Sequence, residues 1–262
     1  MAKRINRFTS AKAVEAALAK VPAHRAGLPA LDSITAVTEA PAFRILHTDE
    51  VDRYEKGALG LGLAGPELRA APAGDNFAGS DRKAAKLSIS TAKIEKFKDV
   101  KDLIASLAPE SKMKAHKPKI TTASTSGRVK EEDRNIHVDA FIYAASREAD
   151  NDFHLIVGRD PKVAPAMYIT MELSGLPPAG SPSLSTLQAA RDAFKQFFDN
   201  NAGGQLPGTT YDFYDPPLKV TIEGSLFFDI THATGPRPGP ASLKGSMPVI
   251  WEVHPISQIV FK

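Results

Sequence analysis

The chain has 262 residues, 42% hydrophobic and 24% charged, with a net charge of +3 and no cysteine. This is a globular composition, long enough for one large domain or two small ones. The lack of thiols excludes disulfides, Cys-ligated zinc, iron–sulfur clusters and a cysteine nucleophile, and no apolar run approaches the roughly 18 residues of a membrane span.

The N-terminal MAKRINRFTSAKAVEAALAK is basic and then amphipathic, without the continuous apolar core of an export signal, so the expected compartment is the cytoplasm. Ala13, Val14, Ala17 and Leu18 recur at helical spacing behind Thr9 or Ser10 as cap, which predicts a helix over 9–20, ended by Pro22. Residues 22–80 are weakly patterned and rich in Ala, Gly and Pro. They read as an arm able to order on a protein partner or on a second copy of the chain. GLGLAG at 60–65 has the spacing of a dinucleotide fingerprint. Pro66 follows it at once and no strand precedes it, so a loop is the better reading.

Charge is spread unevenly. Residues 1–80, 81–135 and 136–262 carry +1, +6 and −4, so a basic middle joins an acidic C-terminal half. Within the basic region, 81–124, KLSIS at 86–90 is strand-like. Residues 98–107 predict a short helix with Val100, Leu103, Ile104 and Leu107 on one face. Nine lysines against four acidic residues lie between 86 and 119. The plain reading is a solvated surface. Lys86, Lys93, Lys96, Lys98, Lys112, Lys114, Lys117 and Lys119 are the residues that would line a groove for single-stranded nucleic acid.

From residue 120 the pattern turns to β. Val138, Ala140 and Ile142 alternate with His137, Asp139, Phe141 and Tyr143 within 128–143. FHLIVG at 153–158 and MYITMEL at 167–173 predict two further strands. A helix capped by Ser183 or Ser185 runs to about 199, with Leu187, Ala190, Phe194, Phe197 and Phe198 on its buried side. Strands at 218–230 and 249–261 follow. Gly224 inside the fourth predicts a bulge or a close backbone approach. The order β-β-β-α-β-β over 125–262 is that of an OB-like five-stranded barrel with the helix at one end. The expected class is therefore α+β, mainly β: an OB-like barrel at 125–262 behind a helical and extended 1–80 and a basic 81–124. An open α+β sandwich is the alternative.

Seven polar residues stand in or beside these strands: Asp152, His154, Glu172, Asp229, His232, Glu252 and His254. His154, His232 and His254 with the carboxylates suit a divalent metal such as zinc, manganese or iron, which can activate water for hydrolysis. Without metal, His154 or His254 can be a general base oriented by a carboxylate. The pairs Asp152/His154 and Glu252/His254 are two residues apart and share a strand face, so they can equally be hydrogen-bonded pairs that fix register. H-E-x-x-H, G-x-S-x-G and phosphate-loop patterns are absent.

NDFHLIVG, MYITMELSGLP and WEVHPISQIVF together resemble a group of bacterial proteins of unestablished function. That group carries D-x-H-hydrophobic, a strand Glu and a late E-x-H-P. The resemblance covers roughly the last 130 residues and implies an OB-like fold and a set of suspect residues, not an activity. The acidic turn at 150–152 also resembles that of staphylococcal-type nucleases. Their Asp–Thr segment and arginine pair have no counterpart beyond Arg159, so their activity is not carried over. Phe141, Tyr143, Phe153 and Tyr168 are candidate base-stacking platforms, although the −4 charge of 136–262 opposes phosphate. The expected function is a non-catalytic binding or assembly module, for nucleic acid or a protein partner. A metal-dependent hydrolase of the nuclease or phosphoesterase type stands second.

Overall fold

The computed structural model describes residues 42–51, 74–233 and 237–262. The helix expected at 9–20, most of the arm and the GLGLAG segment lie outside these residues. The described elements in chain order are β1 (Arg44–His47), α1 (Lys83–Lys86), β2 (Ile94–Phe97), α2 (Val100–Ala105), α3 (Glu110–Lys114), β3 (Asn135–Arg147), β4 (Phe153–Gly158), β5 (Tyr168–Leu173), α4 (Leu184–Ala202), β6 (Asp212–Phe228) and β7 (Trp251–Phe261). The expected β-β-β-α-β-β order is present as β3 to β7 with α4 between β5 and β6.

Seven strands form one sheet in the order β1-β6-β7-β5-β4-β3-β2, and β6 also pairs with β3. The pairings β3–β4, β4–β5, β7–β6 and β6–β3 are antiparallel, and β5–β7 is parallel. Followed from strand to strand, they lead from β3 back to β3. The two short strands β1 and β2 were not legible in the sequence. β1 pairs with the start of β6 and β2 runs parallel to the start of β3.

Period-2 alternation sorts the side chains of the central strands. Phe153, Leu155 and Val157 of β4, Ile169, Met171 and Leu173 of β5, and Val253 of β7 join Phe194 and Phe198 of α4 in the main core. On the opposite face Ile156 and Tyr168 belong to a second apolar cluster with Ala144, Tyr211 and Met247. All six residues of β4 and all six of β5 are buried, so both faces are covered. His154 shares a face with Ile156, and Glu172 shares one with Tyr168. His154 and Glu172, two of the polar residues singled out in the sequence, therefore lie on the second face.

Two expectations are corrected. KLSIS is not a strand. Lys86 ends the one-turn helix α1, and residues 87–93 form no regular element. The basic 81–124 is not merely a solvated stretch, because Val100, Leu103, Met113 and Ile120 are buried in the main core with the strands of 125–262. Gly224 behaves as expected. The β6–β7 register slips on both sides of it, and an added Cβ would stand 2.5 Å from Val253 Cγ1 and 2.6 Å from the Pro255 carbonyl oxygen. Among the described residues no helix is long and apolar enough to cross a membrane.

Residues 82–86 are bound to the sheet by a buried ion pair. Arg82, with a left-handed φ of 48°, donates to Glu132 Oε1 and Oε2 at 2.6 and 2.8 Å, and to the carbonyl oxygens of Phe228 and Gly127 at 3.0 and 2.7 Å. Glu132 in turn accepts from the Val129 and Phe228 amides at 2.8 Å each. Both side chains are excluded from water. Arg82→Met would leave the Glu132 carboxylate buried and unpaired, and is expected to cost about 3–5 kcal/mol of unfolding free energy in chemical denaturation. The double variant Arg82→Met/Glu132→Leu is expected to recover part of that loss.

Candidate metal centre

Strand register brings the polar residues together. His154 on β4 pairs with Glu172 on β5. Thr170 and Met171 pair with Glu252 and Val253 on β7, so Glu172 lies beside His254 one step further along the parallel ladder. A row His154–Glu172–His254 thus crosses three adjacent strands on one face. The turn between β3 and β4 adds Glu148, Asp150 and Asp152, the end of β6 adds Asp229 with His232, and α1 adds Lys86.

The contacts are close. His154 Nδ1 lies 2.5 Å from Glu148 Oε1 and 3.4 Å from Glu172 Oε1. His254 Nδ1 lies 2.7 Å from Glu172 Oε2 and 3.7 Å from Glu252 Oε2, and its Nε2 lies 3.3 Å from Asp152 Oδ2. Asp152 and His254 are 0% exposed, Glu252 2% and Glu172 3%. The other oxygen of Asp152 accepts the Gly175 amide at 2.6 Å. Yet Asp152 Oδ2, Glu172 Oε2 and both ring nitrogens of His254 take part in no hydrogen bond. Polar atoms this deeply buried are ordinarily hydrogen-bonded. The two carboxylates meet His254 at opposite ring nitrogens, Glu172 at Nδ1 (2.7 Å) and Asp152 at Nε2 (3.3 Å), so an ion between them takes one nitrogen of the ring.

Among the described residues, three groups place a ligand atom from each member within 4.8 Å of the others: Glu148/His154/Glu172, Asp152/Glu172/His254 and Asp229/His232/Glu252. The sequence reading put His154, His232 and His254 on one ion. The structure divides them: Glu172 stands between His154 and His254, whereas His232 stands with Asp229 and Glu252. His232 donates from Nδ1 to Asp229 Oδ2, and the other oxygen of Asp229 accepts the Thr231 amide at 2.8 Å.

The charges are poorly balanced. Burial, and then Asp150, push the Asp152 carboxyl well above its ordinary range. Burial, then Glu172 and Asp229, do the same to Glu252. Burial pushes Glu148 up to about 7, despite His154 beside it. Burial would also raise Glu172, but His254 and Lys86 outweigh it and hold it below the ordinary value. Burial pulls the His254 imidazole down, only partly offset by Glu172, and a neutral imidazole is the form that binds metal. Lys86 is the counter-charge. Burial would lower it, yet Asp150, Glu172, Asp152 and Glu148 hold it well above its ordinary value. Its Nζ lies 3.0 Å from Asp150 Oδ2 and 3.5 Å from Asp152 Oδ2. This corrects the assignment of Lys86 to a nucleic-acid groove.

The remaining nucleic-acid candidates are scattered. Lys93, Lys96, Lys98, Lys112, Lys114, Lys117 and Lys119 are exposed, and Lys112 and Lys114 pair with Glu131 and Glu110 at 2.9 and 3.9 Å. Phe153 is a core residue, fully buried, and so no stacking platform. Phe141 and Tyr143 are half-buried. Tyr143 packs edge-on against Tyr168 and donates to the Arg159 carbonyl at 2.8 Å. Two surface clefts, of about 570 and 180 Å³, lie along α4 and β7 (Ala189, Gln258) and beside Arg159 (Asp99, Lys219). Neither is lined by the cluster.

Sequence reading missed Glu148 and Asp150 as cluster members, although both stand in the turn that supplies Asp152. It also missed the arginines that hold the backbone around them. Arg191 on α4 donates to the carbonyls of Asn151, Leu173 and Ser174 at 3.0–3.1 Å, which grips the residues next to Asp152 and Glu172. Arg128 donates to the His254 carbonyl at 2.6 Å and to those of Ala85 and Ser88 at 2.9 and 2.8 Å. An arginine on an otherwise apolar helix face, as Arg191 is, was the available signal.

No known protein family, curated protein or solved structure matches the chain, so the chemistry of the cluster is read from its own geometry.

Asp75 joins Arg191 at 3.0 Å and also pairs with Lys195. Burial raises the Asp75 carboxyl, but the hydrogen bonds from Lys195 and Arg191 more than offset this and hold it below its ordinary 3.8. A depressed folded value means that the stabilisation is complete above the unfolded value and is lost as pH falls through the folded one. Asp75→Asn is expected to cost about 1.5–3 kcal/mol at pH 7 by denaturant unfolding. The gap to the native chain should narrow from about pH 4 downward.

Proposed function

We propose that this chain is a non-catalytic OB-like barrel whose ligand is a divalent metal ion, held by His254, Asp152 and Glu172. The observation that carries the reading is that these three buried residues each bring a ligand atom within 4.8 Å of the others, with Asp152 Oδ2 and His254 Nε2 outside hydrogen-bond geometry. The barrel reading is supported by the pairing circuit β3–β4–β5–β7–β6–β3, with helix α4 between the third and fourth of these strands in chain order, β5 and β6. The outer face of the second and third strands is where OB barrels take ligands, and His154 and Glu172 lie there. Imidazole nitrogen with carboxylate oxygen suits zinc, manganese or iron.

An ion at this position links the turn after β3, the end of β5, and β7. Its binding free energy would add to that of folding. A direct single-stranded nucleic-acid function is opposed by the acidic cluster on that face. A metal-dependent hydrolase needs an open coordination position for water, and ligands 0–3% exposed argue for a structural ion instead.

Elemental analysis and equilibrium dialysis of the full chain test the reading. Zinc or manganese is expected to bind, to fall at least tenfold in affinity in His254→Ala, and to leave phosphodiester substrates uncleaved. Chelation should lower the melting temperature. Lys86→Met removes the resident counter-charge and is expected to bind the ion about tenfold more tightly or better. A chain that takes up neither metal would sink the proposal. Metal-dependent cleavage would replace it with the hydrolase reading.

A further inference from the structure

We propose, resting on the metal-binding reading above, that the ion and the Lys86 ammonium are alternative occupants of the cluster, so that loading the site drives the Lys86 side chain out to the surface.

The two cations compete for one atom. Asp152 commits Oδ1 to the Gly175 amide at 2.6 Å, which leaves Oδ2 to meet a cation. That oxygen lies 3.5 Å from Lys86 Nζ and 3.3 Å from His254 Nε2. It is buried and makes a hydrogen bond to neither. An ion bonded to Oδ2 at about 2.1 Å can stand no further than about 5.6 Å from Nζ in its present place. Two positive charges that close, both shut off from water, repel strongly.

Of the groups around this oxygen, Lys86 is the one able to leave. Its side chain is 14% exposed, whereas those of Asp152 and His254 are 0%. It donates to Asp150 Oδ2 at 3.0 Å, at the rim of the cluster, where the Asp150 side chain is itself 18% exposed. The backbone beneath it is pinned. Ser174 Oγ donates to the Lys86 carbonyl at 3.1 Å, and Arg128 donates to the carbonyls of Ala85 and Ser88. The flexible lysine stem can therefore swing while α1 stays in place. The Phe77 ring offers the ammonium a next position, since its centroid is 5.9 Å from Nζ. Loading of an interior site is thus reported on the surface as a newly reachable amine. Lys83, on the same helical turn and with Nζ also 5.9 Å from the Phe77 centroid, is the natural reference.

The experiment is reductive methylation of the full native chain with formaldehyde and a borohydride, with and without saturating zinc, read residue by residue by peptide mass spectrometry. Equilibrium dialysis of the same samples measures the zinc bound. Lys86 is expected to be labelled about tenfold faster in the zinc-loaded chain, with Lys83 unchanged. Lys86→Arg, which keeps the competing charge, should bind zinc at least about tenfold more weakly than Lys86→Met. Bound zinc with Lys86 labelled no faster overturns the exchange and leaves the metal reading intact. So does equal acceleration at Lys83 and Lys86, which would mean that α1 as a whole loosens, and so does equal zinc affinity in the two variants. A chain that binds no zinc overturns both readings.

Discussion

Burying carboxylates beside one another is the constraint around which this structure is arranged. Asp152, Glu172 and Glu252 are all but removed from water, and a buried carboxylate needs a cation, a set of donors or a proton. The protein supplies Lys86 as a resident cation and histidines from β4 and β7. The carboxyls that these do not satisfy are driven toward their neutral form. A divalent ion bound as proposed would relieve this conflict by supplying positive charge among the carboxylates.

Holding such a group together requires rigid surroundings, and these come from arginines that bind backbone rather than carboxylate. Arg191 spans the turn after β3 and the end of β5 from a helix that is otherwise apolar on that side. Arg128 joins the His254 carbonyl to residues 85 and 88. Arg82 fixes residue 82 to the end of β6 through Glu132 and the Phe228 carbonyl. Lys86 is thereby delivered into the cluster from a segment that is distant in sequence. The apolar residues beneath, Leu155, Met171 and Val253, keep the three strands in the register that aligns His154, Glu172 and His254.

Much of this was legible residue by residue. The strands β4 and β5 announced themselves as short apolar runs interrupted by a single charged or imidazole side chain, and α4 by its apolar stripe. Of the seven polar residues picked out in or beside the strands, Asp152, His154, Glu172 and His254 fall in two groups that share Glu172, and Asp229, His232 and Glu252 in a third. Lys86 was misread because a lysine among eight others in a basic stretch looks like solvated surface. Nothing local reveals that α1 folds onto an acidic face. Phe153 was misread as a stacking surface for the same reason, since alternation tells which residues share a face but not which face is inside. Gly224 was read correctly because its meaning is local, as a gap in a strand where another backbone passes.

The sequence by itself determined the order of strands and helix, the alternation that puts Glu252 and His254 on one face of β7, and the exclusion of thiol chemistry. Those properties depend on residue type and on spacing within one element. The tertiary structure alone decided that His154, Glu172 and His254 form a single row, that His232 stands with a different group, and that Lys86 is the counter-ion. Each of these depends on pairing between strands or on a long-range arginine contact. Cross-strand register is set by the packing of whole faces, so it cannot be read from any one strand.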